Sequence, residues 1–125
     1  MKSPAFTIKV FGVYVVLTGI TLLLIPNVMM SMLGAPEAKD VYVRVLGALA
    51  IVVGYYYWAC GVGGATAFFK ATIPGRLLFF ALGVSLVLLA GAHPTLIGFG
   101  LVDVAGAAWT WMALRATGAG SLNAA

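Results

Sequence analysis

The sequence predicts an all-α integral membrane protein, a four-transmembrane-helix bundle with short loops, and three observations carry that prediction. Of the 125 residues, 63% are hydrophobic and 8% are charged, whereas a soluble domain carries roughly 25% charged residues to solvate its surface. Apolar runs of about 20 residues, the length a helix needs to cross the hydrocarbon core at about 1.5 Å per residue, recur four times. Proline and glycine punctuate the gaps between them. Four spans with short connections use up the chain, so residues 1–125 are expected to form a single transmembrane domain.

The first span reads FTIKVFGVYVVLTGITLLLI, residues 6–25, and Pro26 stops it because proline has no N–H for the helical ladder. Lys2 and Lys9 precede the apolar run, as they would in a secretory signal peptide. The run exceeds the about 7–15 residues of such a segment, and the best small-residue cleavage position, between Gly34 and Ala35, is followed by Pro36. A retained helix is therefore expected. NVMMSMLGAPEAKD opens with a short apolar piece that predicts one or two turns of interfacial helix, broken at Gly34 and Pro36.

The second span is VYVRVLGALAIVVGYYYWAC, residues 41–60. In GVGGATAFFKATI a flexible glycine start precedes TAFFKATI, which either lies on the membrane surface or extends the next helix beyond a proline kink. The third span is expected over 74–92, with Pro74 in a first turn that tolerates it. The fourth, over 94–115, begins at Pro94 on the same signal. The small, polar tail ATGAGSLNAA is expected to fray.

A net charge of +4 could suggest nucleic acid in a soluble protein. Here the basic residues stand singly, with no basic run, and the lipid bilayer accounts for them; no nucleic-acid partner is expected. With four spans, both termini and the second-to-third connection share a side. That side holds Lys2, Lys9, Lys70, Arg76 and Arg115, against Lys39 and Arg44 opposite. The excess predicts cytoplasmic termini in a bacterial inner (plasma) membrane. Tyr55, Tyr56, Tyr57 and Trp58, with Trp109 and Trp111, collect towards the same interface.

Asp103 is the sharpest feature of the fourth span. A carboxylate near mid-membrane costs about 2.5–3.5 kcal/mol on insertion scales, so it faces protein or water and has a partner. Gly100, Gly106 and Thr110 share its helix face. Arg44 is the expected counter-charge, roughly 7 Å away in depth, which a long side chain spans. Lys9, a second intramembrane charge, enters from the other side and is less well placed. The pair could form a proton, cation or substrate site, but the expectation is a structural pair fixing helix packing.

Two stretches echo each other. KVFGVYVVLTG and RVLGALAIVVG both read basic–Val–apolar–Gly, with a second glycine seven residues on: Gly12 and Gly19, then Gly47 and Gly54. DVAGAAWTWMA is a fainter copy, with a carboxylate for the base and Ala113 for the last glycine. Duplication and chance, in a chain with 16 glycines, both remain open as its origin. Small faces let helices approach closely in lipid, so Gly12, Gly19, Gly47, Gly54, Gly100 and Gly106 are expected at helix–helix contacts.

No metal or cofactor is expected. His93, the single histidine, sits at a turn before Pro94, where water exposure or local capping suits it. The methionines of MMSM could suit Cu(I), but an apolar interfacial turn is the expectation. Cys60 stands alone and has no activating neighbour in the sequence. Without a nucleophile–base pair, phosphate loop or paired catalytic carboxylates, enzyme activity is the least favoured class.

Across MLGAPEAKDVYVRVLGALAIVVGYYYWACGVGG the sequence resembles the small four-helix membrane proteins of the DoxX-like type. Gly34, Pro36, Gly47 and Gly54 carry the likeness, and the four-span layout extends it loosely over most of the chain. The resemblance implies a four-helix fold, and some members are accessory membrane subunits of quinone-linked oxidoreductases. That group often has an acidic residue three positions after the glycine matching Gly47. Ala50 stands there in this chain, so no functional residue is carried over.

The expected function is association: an accessory subunit of a larger membrane complex, or a homo-oligomer. The alternative is a homo-oligomeric proton or ion channel, or a small-solute transporter, using Asp103 and Arg44. One four-helix subunit has little interior for a pore, so that version needs an oligomer.

Overall fold

The computed structural model describes residues 3–116. Lys2 and the tail beyond Ala116 lie outside the described residues. Five helices follow one another: α1 (Pro4–Leu24), α2 (Pro26–Leu33), α3 (Tyr42–Gly63), α4 (Thr66–Ala90) and α5 (Thr95–Ala116). No strand occurs among the described residues. α1, α3, α4 and α5 are each long and apolar enough to cross a membrane, which makes this an all-α integral membrane protein with four spanning helices.

The proline at 26 both ends α1 and opens α2, where it takes the first position. α2 makes two turns and closes at Gly34, whose N–H reaches the carbonyls of Met30 and Ser31. The link to α3 is held at two points. Asn27 Oδ1 accepts the N–H of Ala38 at 2.6 Å, and Asp40 Oδ1 accepts that of Tyr42 at 2.8 Å, satisfying a donor that the start of α3 leaves open.

Pro74 does not open the third span, and the expected start at residue 74 is corrected to Thr66. TAFFKATI continues the helix, with Pro74 inside it. Nothing in those eight residues favours a turn, and the break between α3 and α4 falls instead at Gly64, with φ 66°. An intrahelical proline removes one ladder bond, which neighbouring groups in membrane helices make up. The helix also ends earlier than expected, at Ala90, where Gly91 takes the left-handed cap with φ 74°.

The chain divides into two compact units, Lys9–Ala59 and the combination of Met1–Ile8 with Cys60–Ala125. In the Lys9–Ala59 unit, α1 meets α3 through glycine. A Cβ built on Gly12 would lie 2.9 Å from the Gly54 carbonyl oxygen, and one on Gly19 would lie 2.6 Å from that of Gly47. As numbers rise along α1 they fall along α3, so the helices are antiparallel. Phe11 and Tyr57, both buried, meet beside the crossing with ring centroids 5.3 Å apart and planes tilted by 42°.

In the other unit α4 and α5 pack antiparallel. Gly100 admits Phe80, whose Cδ1 would be 2.6 Å from an added Cβ, and Gly83 sits against Leu96. Gly106 is half-buried. The first turns of α1 join this unit: Ile8 is buried, and Phe6 meets Trp109 edge-on at 6.1 Å.

Candidate functional site

The start of α4 at Thr66 sets the depth of Arg76. Ten residues into the helix, about 15 Å along its axis, the side chain is only 3% exposed. Helical side chains lean towards their N-terminus and onto the i−4 position, and here that position is Thr72. Arg76 Nε donates to the Thr72 carbonyl at 3.2 Å and Nη2 to Thr72 Oγ1 at 2.8 Å. Nη2 also donates to Thr110 Oγ1 at 3.0 Å, tying α4 to α5.

The hydroxyls fix the direction of the remaining bonds. Thr7 Oγ1 donates to the Pro4 carbonyl at 2.7 Å. A hydroxyl has one proton, so in the 2.9 Å contact between Thr7 and Thr110 it is Thr110 that donates. Polarity therefore runs from Arg76 through Thr110 and Thr7 to the Pro4 carbonyl. A second branch runs through Thr72, whose hydroxyl donates to the Phe69 carbonyl at 2.8 Å. Thr7 and Thr110 are fully buried and Thr72 nearly so. Three helices thus share one buried cation, which spreads its charge over hydroxyls that each end on backbone.

Asp103 lies seven residues before Thr110, two turns along the same face of α5, and is half-buried. Arg76 is the cation whose charge acts on it. Among the described residues its carboxylate has no hydrogen-bond partner.

Arg44 is placed differently from its expected role. Its Nη1 donates to the Leu23 carbonyl and, at 3.4 Å, to that of Leu24. These are the last carbonyls of α1, orphaned where the helix ends at Pro26, and a cation there also meets the negative end of the helix dipole. Among the described residues no carboxylate is a partner of Arg44, so the expected Asp103–Arg44 pair has no support. Lys9 is half-buried, with Nζ 5.8 Å from the Trp58 ring centroid. Arg115 lies over Trp111 at 4.9 Å.

His93 acts locally. Its Nδ1 accepts the N–H of Thr95 at 3.2 Å and lies 3.1 Å from Thr95 Oγ1, at the start of α5. Met29 and Met30 are half-buried in α2, and Met32 is exposed. Cys60 is a free thiol. Among the described residues no group of three His, Cys, Asp or Glu side chains could hold a metal ion.

Arg76 is the residue that sequence reasoning missed. It counted only towards orientation, because a helix starting at Pro74 would leave it in the first turn beside water. The signal was available in Thr72 and Arg76, a hydroxyl and a cation four apart, once the helix is allowed to run through the proline.

The fold and its buried polar cluster define a class, the small integral membrane proteins with four spanning helices. Comparison of the chain with family models, with curated proteins and with solved structures finds no match that would narrow this further.

Proposed function

We propose that the protein works by helix–helix association in the bilayer, as a homo-oligomer or as an accessory subunit of a larger membrane complex. One observation carries this reading. Gly98 and Ala105 lie seven residues apart on α5, both exposed, and a Cβ on Gly98 would meet nothing within 4 Å. Seven is also the spacing by which Gly12 and Gly19 meet Gly54 and Gly47. A small face allows close helix approach, and packing is what drives association in lipid. Exposed Ala108 and Met112 continue that face.

We place the protein in a bacterial inner membrane with cytoplasmic termini, an orientation supported by Lys2, Lys9, Lys70 and Arg115 on that side against Lys39 and Arg44 opposite, with the buried Arg76 no longer counted. The DoxX-like likeness of Gly34, Pro36, Gly47 and Gly54 favours the accessory-subunit form. Ala50, standing where that group often has an acid, argues against a redox role of the chain's own.

The test is the mass of the protein purified in mild detergent and in nanodiscs. A homo-oligomer or a stoichiometric partner is expected, and Gly98→Leu should dissociate it with the helical content unchanged. A wild-type chain that is monomeric and partner-free in both settings would reject the proposal.

A further inference from the structure

Independently of that association, we propose that the α1–α3 hairpin holds an anionic phospholipid, its phosphate at Lys9 and part of one acyl chain in the groove below. Gly12, Val13, Val16, Leu17 and Trp58 line a wholly apolar cavity of about 140 Å³. Sites for compact small molecules run to about 300–1,000 Å³, so this one suits a length of hydrocarbon chain better than a folded ligand. Its walls face outward: Val13 is 44% exposed and Leu17 is 59% exposed.

The groove has a direction. From Lys9 to Leu17 is eight residues of α1, about 12 Å of rise. Lys9 lies five residues inside the N-terminal end of α1, and Trp58 lies five residues inside the C-terminal end of α3. In an antiparallel pair these are the same end. Tryptophan and lysine mark the headgroup level, where the ring meets the interface and the long amine stem reaches up to it. Lys9 Nζ rests over the Trp58 ring at 5.8 Å, so the cation is held at the mouth of the cavity that Trp58 lines. Charge at the mouth and hydrocarbon below match a phosphate joined to an acyl chain. A zwitterionic lipid offers the same chain, but its choline cation would meet Lys9 with like charge.

Native mass spectrometry of the purified full chain, titrated with phosphatidylglycerol and phosphatidylcholine of matched chains, tests this. The wild type should retain phosphatidylglycerol preferentially. Lys9→Gln should reduce that preference about fivefold, the effect of one lysine at an anionic surface, and Lys9→Arg should keep it. Val13→Trp, which fills the groove from its exposed side, should lower retention of both lipids while circular dichroism reports an intact helical fold. Equal retention of the two lipids by the wild type would overturn the proposal, as would full preference in Lys9→Gln. So would a dimer that Val13→Trp disrupts with lipid retention unchanged, because a second copy of the chain would then occupy the groove.

Discussion

Gly19 and Gly47 stand so close that a Cβ on either would lie 2.6 Å from the other's carbonyl oxygen. One crossing further along, Gly12 and Gly54 repeat the relationship at 2.9 and 2.7 Å. Each glycine is set against the backbone of the opposite helix, so α1 and α3 touch main chain to main chain at two points seven residues apart. At that separation dispersion is gained along the whole hairpin, and Cα–H groups can reach carbonyl oxygens.

Gly47→Ala should therefore destabilise the protein. The new methyl would lie 2.6 Å from both the Gly19 oxygen and the Leu23 nitrogen, and backbone cannot rotate away as a side-chain tip can. Overpacking of this kind costs about 1–3 kcal/mol, which outweighs the up to ~1 kcal/mol gained by replacing a helical glycine. Gly75→Ala is the control, because nothing lies within 4 Å of its Cβ position, and it should be neutral or slightly stabilising. Thermal unfolding in detergent reads both. Equal shifts for the two variants would contradict the close crossing.

Thr110→Val should be costly out of proportion to one atom. Thr110 accepts from Arg76 and donates to Thr7, so its loss strips a bond from a buried cation and breaks the chain of hydroxyls. Leaving a buried group short of a partner costs about 1–3 kcal/mol. Thr7→Val should cost less, and the double variant should fall short of the sum, since both act on one network. Arg76→Lys should not restore stability, because an ammonium cannot reproduce the planar fork that reaches the Thr72 carbonyl and both hydroxyls. A neutral Thr110→Val would remove the cluster from any account of stability.

What the sequence made legible, and what it hid, both trace to particular residues. The glycine spacing was readable because a seven-residue interval returns to one helix face whatever the neighbours are. Their place at helix contacts was readable with it, and so was the antiparallel sense of the first two spans; which glycine meets which, Gly12 with Gly54 and Gly19 with Gly47, came only from the packing. The buried cluster was hidden by one boundary. Taking Pro74 as the start of a helix is sound in water, where a free carbonyl finds solvent at a helix end. In a membrane helix the proline can sit inside, and the eight residues gained at Thr66 move Arg76 from the interface into the unit's interior. The acceptors of Arg44 were hidden for a related reason. Matching charges by depth considers only side chains, and the acceptors it meets are the carbonyls freed where α1 ends.

Arg44→Met should destabilise the hairpin of α1 and α3 by about 1–2 kcal/mol, the scale of a charge-assisted bond at a helix C-terminus. Arg44→Lys should recover part of that, because a point charge still meets the dipole while losing the reach to two carbonyls. Amide exchange should quicken in the turns on either side of Pro26, where α1 hands over to α2, and leave α4 unchanged. Exchange that quickens equally in every helix would show that Arg44 supports more than the end of α1.

Asp103 and Arg76 should be coupled, and a double-mutant cycle measures the coupling. The guanidinium of Arg76 bonds Thr110, and Asp103 lies two turns away on the same face of α5, with the charge of Arg76 acting on it. Between the two, low-dielectric surroundings weaken a field far less than water would. Asp103→Asn and Arg76→Gln, alone and together, should give an interaction energy within the about 0.5–3 kcal/mol of linked sites. The same Asp103→Asn protein, reconstituted in vesicles, should show proton and ion flux equal to that of the wild type. Flux that falls with the carboxylate while thermal stability stays put would move Asp103 from holding charge in place to carrying it.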